Sequence, residues 1–595
     1  MRLLAVCINS YGKLFSREVF NFSPEYSVSY DFEKSIITIN VNDEYISGLY
    51  GDLISSVSAV IGRNGVGKSS LLNLIGNNVD ERAFKSTKIN GGEGDGYALI
   101  YVVGETDNHT VYYAETYNMT INNIRNLKCD SFYKLCDFYF QMSNENKNLY
   151  EVCVRPELKT NEIVFLTDDR CYIETENLTP VVLANVDDNI VRKKNPQCRL
   201  MDIYNAYVKL YNIGAINSDF VLRIDKSPKM QRQTEFFLNA IIFEPDVSVE
   251  NERAQSFEEL YADFLRKMFS EFCSYLLAGK PEGYDSSKVN KFVDYANSNI
   301  ASSVEEYKIY FDRICAVLCE DYRFHSKLYD VIRTFEKFMI ELINQEKYVR
   351  AGIDSFFISF PKKEDKEFEK LIKAYDELII ASGELQGSRN KKEVPFIIGR
   401  YKVSEGEERL LRIIASITAS IIEYSNGQSI QSYSKKGNLI ILVDEIEKGM
   451  HPEWSRSLIK YIIDVLNDIM MDVFDKKEYV KNLRNSIQLI FSTHSSLLLS
   501  DIVTDTNIFL EKDEKGQVNQ VKRQMSFAAN PMEMMKDKFF VDGYMGEFAL
   551  CTINRVLENI KTGKADKKDK FIINQIGEPI LRKKLEELYD ERVES

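Results

Sequence analysis

The chain has 595 residues, of which 44% are hydrophobic and 28% are charged. These proportions are close to those of soluble globular proteins, so the composition excludes wholesale disorder and fibrous repeats, and the length allows several domains. The formal net charge of −14 argues against a protein that coats nucleic acid non-specifically, while a local basic groove stays compatible with it.

Targeting segments and metal-binding cysteine patterns are not evident in the sequence. Charge-free stretches fall short of the roughly 20 apolar residues that a bilayer crossing needs, and the first apolar run, 3–8, is too short for a signal-peptide core. The ten cysteines are scattered without a CxxC pair, which favours buried thiols over a disulfide framework or a zinc site. We therefore expect a cytoplasmic protein without a membrane partner.

Short strand-like runs separated by turns dominate the first part of the chain. They lie at 3–8, 19–22, 36–41, 57–61, 98–103, 111–114, 163–166 and 181–183. The strand predicted at 57–61 leads directly into a glycine-rich segment and then into an apolar helix start.

That segment has the GxxxxGKS pattern of a phosphate-binding loop. The candidate ATP contacts are Gly62, Arg63, Asn64, Gly65, Val66, Gly67, Lys68, Ser69 and Ser70. Glycines allow backbone N–H groups to turn inward around phosphate, and the following helix start favours an anion. We expect Lys68 to reach the β- and γ-phosphates and the Ser69 hydroxyl to hold Mg²⁺.

Apolar residues recur at i, i+3 and i+4 through most of 204–348, which predicts packed helices. The clearest stripes are Phe257, Leu260, Tyr261, Phe264, Leu265, Met268, Phe269 and Phe272, and then Phe324, Leu328, Val331, Ile332, Phe335, Met339 and Leu342. Burial in a helical bundle is favoured over base stacking for these aromatic side chains. The segment lacks sustained heptads, so we do not expect a long coiled coil.

From residue 355 onward, strands and helices alternate at 356–360, 407–424, 439–443, 455–466 and 487–492. This alternation predicts a mostly parallel sheet with crossover helices. The strand at 439–443 ends in Asp444 and Glu445. A first acid suits the binding of Mg²⁺, and a second suits activation of the attacking water.

Two further features suit phosphate chemistry. His494, one of four histidines, follows the strand at 487–492, where ligands gather in parallel sheets, and it could contact the γ-phosphate. Ser404, Gly406 and Glu407 open the predicted helix that runs to Tyr424, and the N-terminus of this helix forms a second anion-binding surface. Ser404 with an acid three residues later also fits a helix cap, and both interpretations can hold together.

The order of these motifs resembles that of ABC-type ATPases, and more closely their SMC-like branch. The run from Asp444 through Trp454 is similar to that of the OLD and Septu anti-phage ATPases. Segments 529–531, 539–543 and 546–549 are similar to PtuA, the ATPase of Septu systems and of retron-associated relatives. Asn185 is the nearest candidate for the Q-loop residue.

The resemblance implies an α/β fold: a P-loop ABC-type ATPase head with a mostly parallel sheet, an N-terminal antiparallel β subdomain and a large helical insertion. It implies an N-terminal lobe at 1–190, the insertion at 191–350 and a C-terminal lobe with an extension at 351–595. Two heads would sandwich ATP and Mg²⁺, with Ser404 and Gly406 of one closing on the γ-phosphate held by Lys68 of the other. Higher assemblies of such dimers are compatible with this arrangement.

No nuclease site accompanies these motifs. The residues after His494 contain no DxD pair for a Toprim-type metal site, and the four histidines do not provide an HNH site. In a defence role, a separate effector, an HNH-type nuclease or another toxin, would act with this chain, and a retron reverse transcriptase with its RNA or DNA is a further candidate partner.

Direct nucleic-acid binding has only weak support in the sequence. Small basic clusters at 192–199, 226–232 and 389–392 fit solvated loops better than DNA contacts, and 561–570 is predicted to be an exposed linker before a last helix at 578–592. The alternative functions are a DNA-maintenance ATPase resembling RecF and a nearly non-hydrolysing scaffold that ATP locks together.

Overall fold

In a computed structural model, the chain forms two compact units, Met1–Ala528 and Ala529–Ser595. The structure describes residues 2–77, 95–126, 133–140, 151–152, 161–166, 181–182, 190–194, 198–225, 326–351, 355–385, 398–428, 438–474, 485–531 and 546–593, apart from positions 13, 46, 107–108, 120, 122, 504–505 and 522–524, together with Tyr261, Leu265 and Met534.

The first part of the chain is rich in strands, as its sequence predicts. Its elements are β1 (Arg2–Tyr11), β2 (Phe15–Asn21), β3 (Tyr26–Asp31), β4 (Ile36–Val41), β5 (Ile54–Gly62), α1 (Lys68–Gly76), β6 (Gly96–Thr106), β7 (His109–Tyr117), β8 (Asn123–Asn126), β9 (Tyr133–Phe140), β10 (Glu151–Val152), β11 (Asn161–Leu166), β12 (Val181–Val182) and β13 (Ile190–Lys194).

Helices become longer in the rest of the chain. The elements are α2 (Leu200–Asn212), β14 (Val221–Asp225), α3 (Ser326–Asn344), β15 (Val349–Ala351), β16 (Ser355–Ser359), α4 (Lys366–Leu385), β17 (Ile398–Tyr401), α5 (Glu405–Gln428), β18 (Leu439–Val443), α6 (Pro452–Phe474), β19 (Ile487–Thr493), α7 (Ser496–Leu499), β20 (Asn507–Lys512), β21 (Val518–Gln520), α8 (Glu547–Lys561), α9 (Lys567–Gln575) and α10 (Pro579–Val593).

One large sheet organises the first unit, with the strand order β10-β9-β7-β6-β1-β2-β21-β20-β5-β19-β18-β11-β13-β12. Strands β20, β5, β19, β18, β11 and β13 are consecutive and parallel. Strands β1, β2, β6 and β7 pair antiparallel on the other side. The predicted combination of a mostly parallel sheet with N-terminal antiparallel strands is therefore confirmed.

The strand predicted at 356–360 does not belong to the parallel sheet, so that part of the prediction is wrong. Strand β16 lies in a separate four-stranded sheet of order β15-β16-β14-β17 and pairs antiparallel with β14 and β15. In the sequence, β16 is an apolar run followed by a helix, and the same is true of β18 and β19. Strand pairing depends on partners distant in sequence, which local periodicity does not encode.

Helix α1, which follows the phosphate-binding loop, packs on the core of the large sheet. Four apolar residues of α1 (Leu71, Leu72, Leu74 and Ile75) are fully buried and share one cluster with residues of β5, β18, β19 and β20. The buried Gln488 of β19 bonds to both N–H and C=O of Leu3 and to the carbonyl of Phe22, at 2.9–3.0 Å. This satisfied amide links the parallel strands to the N-terminal ones.

The apolar stripe predicted around Phe335 is confirmed in α3, where Val331, Ile332, Phe335, Met339 and Leu342 are fully buried. Of the preceding stripe, the structure describes Tyr261 and Leu265, which are also buried, and the Tyr261 hydroxyl donates to the Leu342 carbonyl at 2.7 Å. The other residues of that stripe lie outside the described residues.

The second unit contains the helices α8, α9 and α10 around a small apolar cluster. That cluster consists of Val556, Ile560, Ile573, Ile576, Leu585 and Tyr589. The predicted last helix is confirmed as α10, but the prediction of a linker through residue 570 is wrong, because Lys567–Gln575 is helical. No helix in the described parts of the chain combines the length and apolar character that crossing a membrane requires.

Candidate nucleotide-binding site

Three neighbouring parallel strands bring the predicted motifs to one edge of the sheet. Strand β19 lies between β5 and β18, and its Thr493 is paired with Ile61, while its Phe491 is paired with Val443. The carboxyl ends of the three strands therefore coincide. The phosphate-binding loop, the acid pair and His494 each begin where one of these strands ends, although more than 400 residues separate the first from the last.

The phosphate-binding loop turns sharply between β5 and α1. Gly65 and Gly67 have φ angles of 78° and 91°, a left-handed conformation that glycine adopts without steric cost. A side chain at Gly62 would approach the Leu510 carbonyl oxygen to 2.5 Å, and one at Gly67 would approach the Phe15 ring to 2.9 Å. Close packing therefore requires glycine at positions 62 and 67, and the left-handed backbone favours glycine at positions 65 and 67.

The other residues of the phosphate-binding loop differ in how far they are exposed to solvent. Val66 is buried beneath the loop, while Arg63, Asn64, Gly65 and Ser69 are exposed and Ser70 is partly buried. The Ser69 hydroxyl therefore lies on the accessible side of the loop. An exposed hydroxyl at the start of α1 is available to a phosphate-bound cation.

Lys68 is buried, with 6% of its surface exposed. Its Nζ donates to the carbonyl oxygens of Gly62 at 2.9 Å and Arg63 at 3.0 Å. Desolvation lowers the pKa of Lys68, and the negative charges of Glu445, Asp444 and Glu447 oppose that effect. A desolvated cation surrounded by acidic residues fits a phosphate-binding role at this edge of the sheet.

Ser492 joins the two acids that follow β18. Its Oγ donates to Asp444 Oδ1 at 2.5 Å and accepts the backbone N–H of Glu445 at 2.7 Å. The Asp444 backbone N–H donates to the Leu166 carbonyl at 2.9 Å. Because Ser492 is fully buried at the end of β19, it fixes the acid pair relative to the strand that carries His494.

Replacing Ser492 by Ala should loosen the acid pair, because both hydrogen bonds are lost together. We expect the free energy of unfolding to fall by about 1–3 kcal/mol and the ATP turnover rate to fall with it. Thermal denaturation and phosphate release measure the two effects. Ser420→Ala is the matched control, because Ser420 is also buried and its hydroxyl donates to the Ser416 carbonyl of its own helix at 2.7 Å. Equal effects of the two substitutions would contradict the linking role.

Glu445 has a φ angle of 48°, which is uncommon for a residue with a side chain. The backbone bond to Ser492 and a bond from the Lys448 N–H to the Glu445 carbonyl at 3.0 Å hold this conformation. Lys448 Nζ lies 3.2 Å from Glu445 Oε2. The carboxylate is thus oriented at the accessible end of β18, where a water-activating acid is needed.

His494 lies at the carboxyl end of β19, close to the same charges. Partial desolvation and the Lys68 cation lower the pKa of His494, against the effects of Glu445 and Asp444. Lowering the pKa favours the neutral imidazole, which can donate from one ring nitrogen and accept at the other. The His494 backbone N–H donates to Glu447 Oε1 at 2.5 Å, so an acid from the segment after β18 positions this residue.

Replacing Glu447 by Ala removes the acceptor that positions His494. We expect kcat for ATP to fall roughly tenfold to a hundredfold, with little change in KM. Because Glu447 acts through residue 494, the same substitution should have no further effect in a His494→Ala background, which steady-state kinetics of the four proteins measures. Glu453→Ala is the control, since Glu453 is an exposed acid of the neighbouring segment. Independent, multiplicative losses would contradict this role.

The structure confirms Ser404 as the cap of α5. Ser404 N–H and Oγ both donate to Glu407 Oε2, at 3.2 and 2.7 Å, and the Glu407 N–H donates to Ser404 Oγ at 3.3 Å. Glu407 also accepts from the Ser218 hydroxyl. Burial opposes ionisation of Glu407, but the hydrogen bonds from Ser218 and Ser404 outweigh it and lower its pKa.

Gly406 is buried against the segment that follows the acid pair. A side chain at this position would meet the Trp454 ring at 2.6 Å and the Gly449 carbonyl oxygen at 3.1 Å. Arg409, one turn further along α5, donates to the Glu445 carbonyl at 3.5 Å. The first turns of α5 are therefore packed onto the acid-pair segment, while Ser404 itself is exposed.

Sequence reasoning identified the ends of the strands but not the residues that connect them. The sequence places Ser492 in the strand predicted at 487–492 and Glu447 in the run from Asp444 through Trp454, but it assigns no role to either and gives no signal for Ser218. Glu447 carried a usable signal in the sequence, because it is the second acid after Asp444 on the same segment. In the structure, burial raises the pKa of Glu447. Asn185, the candidate Q-loop residue, lies outside the described residues.

Comparison with family models matches residues 320–500 to a family described as "AAA domain, putative AbiEii toxin, Type IV TA system". The matched region includes Ser404, the acid pair and His494, while the phosphate-binding loop precedes it. A search of curated proteins gives no match. The fold, the phosphate-binding loop and the family match together support a P-loop ATPase of the AAA or ABC type.

Proposed function

We propose that this chain binds and hydrolyses ATP as an ABC-type, SMC-like ATPase, and that ATP-driven pairing of two heads is its switch. The observation that carries the proposal is the meeting of Lys68, the acid pair and His494 at one edge of the parallel sheet. A buried lysine with acids beside a glycine-rich loop suits triphosphate binding, and a second acid suits hydrolysis.

The residues present fit Mg²⁺. Magnesium prefers oxygen ligands and is usually held by one or two protein groups together with phosphate oxygens. The exposed Ser69 hydroxyl and the Asp444 carboxylate are such groups, and Ser492 orients Asp444. When bound, the ion would neutralise charge on the β- and γ-phosphates.

The chain's own residues would perform the remaining tasks. Lys68 exchanges its bonds to the Gly62 and Arg63 carbonyls for bonds to phosphate oxygens. Glu445 orients and deprotonates the attacking water. His494, held through its backbone by Glu447, donates toward the γ-phosphate as a neutral imidazole.

Head pairing would use the exposed start of α5. Ser404 lies at the N-terminus of this helix, where the helix dipole favours an anion. The packing of Gly406 on the acid-pair segment links this surface to the chain's own hydrolytic residues. A γ-phosphate bound by the partner head would therefore contact the start of α5 and, through it, affect the chain's own acid pair. Hydrolysis would remove that contact and release the two heads.

The biological role that we propose is control of a separately encoded effector in anti-phage defence. It rests on the likeness to OLD and Septu ATPases and on the matched family, whose description names a toxin of a toxin–antitoxin system. The effector would be an HNH-type nuclease or another toxin. A retron reverse transcriptase and its nucleic acid are further candidate components.

Co-expression of the tagged chain with its genomic neighbours, followed by mass spectrometry of the purified material with and without ATP, tests this role. Recovery of a nuclease, a toxin or a reverse transcriptase is the expected result. Recovery of the chain alone with bound DNA would contradict the defence role and favour a DNA-maintenance ATPase resembling RecF.

A further inference from the structure

Helix α9 of the C-terminal unit has an exposed face on which cations and an aromatic ring lie together. Lys567 and Lys568 precede Phe571 by four and three residues, so the three side chains share one side of the helix. All three are exposed, and Phe571 has 64% of its surface accessible. Asn574 and Gln575 continue the same face and are also exposed.

The two acids interleaved with these lysines accept hydrogen bonds within the unit. Asp566 caps the helix by accepting the backbone N–H groups of Lys568 at 2.9 Å and Asp569 at 3.1 Å. Asp569 is 4% exposed and accepts from Asn559 Nδ2 at 3.1 Å and from the Asp566 N–H at 3.1 Å. Both carboxylates are therefore used within the unit, and the outer face keeps its positive charge.

One lysine of the run has a structural role instead. Lys570 Nζ lies 2.6 Å from Asp590 Oδ1 and 4.9 Å from the centre of the Tyr589 ring, both on α10. Lys564, in the connection before α9, is exposed. Lys564, Lys567, Lys568 and Phe571 together are called the α9 surface below.

The chemistry of the α9 surface fits a polyanion with exposed flat groups. Lysines neutralise phosphates, and an exposed aromatic ring stacks on unpaired bases without sequence preference. Within the α9 surface the apolar area is a single ring, which is less than the apolar core of a protein–protein interface. We propose that the α9 surface binds single-stranded nucleic acid, a function beyond ATP binding and hydrolysis and independent of them.

Fluorescence anisotropy of the full chain with labelled 20-mers of dT and of U, and with a 20-base-pair duplex, tests the proposal. Both single strands should bind, and the preferred one identifies DNA or RNA as the ligand.

If three lysines contact phosphates, the logarithm of the binding constant should fall with the logarithm of the salt concentration with a slope of about −2. Combined Lys564→Glu, Lys567→Glu and Lys568→Glu should weaken single-strand binding at least roughly tenfold. Phe571→Ala should weaken it roughly tenfold while sparing duplex binding.

The matched control changes three exposed lysines of the first unit to Glu, namely Lys34, Lys512 and Lys515, and it should leave single-strand binding nearly unchanged. Circular dichroism and thermal denaturation establish that each variant is folded. Equal losses in the two triple variants would show a net-charge effect and overturn the proposal. The absence of single-strand binding to the wild type would also overturn the proposal. If poly-glutamate displaces the labelled strand and this displacement does not depend on Phe571, the surface binds an acidic protein partner instead, and the proposal is wrong.

Discussion

Lys68→Ala should abolish measurable ATP binding. Lys68 is the buried cation of the phosphate-binding loop, and charge-assisted hydrogen bonds to two phosphates would be lost at once. We expect the affinity for ATP to fall roughly a hundredfold or more. Isothermal titration with ATP and Mg²⁺ measures the change directly.

The control for this prediction is Lys460→Ala. Lys460 is an exposed lysine of α6 that forms an ion pair with Asp464, so its removal changes the net charge equally. Thermal denaturation separates loss of binding from loss of folding. Desolvation disfavours the Lys68 cation in the folded protein, so its removal should not by itself unfold the chain. An unchanged affinity in Lys68→Ala would place the nucleotide elsewhere.

Glu445→Gln should separate ATP binding from ATP hydrolysis. The substitution keeps the size of the side chain and the backbone bond to Ser492, but it removes the carboxylate that activates water. Loss of a general base lowers turnover roughly a hundredfold to ten thousandfold. Phosphate release under saturating ATP measures the rate, and titration should give an affinity close to that of the wild type.

Glu453→Gln is the matched control for this substitution. Glu453 is exposed in the neighbouring segment and is paired with Arg456, outside the predicted hydrolytic residues. It should hydrolyse ATP at the wild-type rate. Equal, negligible rates in the wild type and in Glu445→Gln would support a scaffold that ATP merely holds together, and the proposed mechanism would be wrong.

Local sequence was sufficient for the elements that carry the candidate site. Strand β18 has the predicted bounds, β19 extends its prediction by one residue, and β5 extends its prediction at both ends. Each of these segments is a short apolar run with a turn signal after it. In a parallel sheet, such runs end at the same edge, so the meeting of Lys68, Glu445 and His494 followed from the pattern.

Other parts of the fold depend on partners that local patterns do not identify. Strand β20 completes the parallel series beside β5, yet Asn507–Lys512 contains only three apolar residues between polar ones. Helix α4 was not predicted either, although its apolar residues recur at i, i+3 and i+4 and are buried, so its sequence did carry a helical signal. The antiparallel pairing of β14 with β16 joins segments more than 120 residues apart.

The same limit applies to the side chains that connect the motifs. Ser492 and Glu447 gain their roles from hydrogen bonds across neighbouring segments, to Asp444 and to the His494 backbone respectively. A serine at the end of a strand is common, so its sequence context gave no reason to choose it. The capping role of Asp566 and the burial of Asp569 were equally hidden, since the sequence shows only that these acids alternate with lysines.

The most direct test of ATP-driven head pairing is the mass of the chain in solution, by light scattering after size-exclusion chromatography, for the wild type, Lys68→Ala and Glu445→Gln with and without ATP. Glu445→Gln with ATP should show roughly twice the chain mass of 68.9 kDa, and Lys68→Ala should not change with ATP. The same mass for all three proteins at every ATP concentration would contradict the switching mechanism.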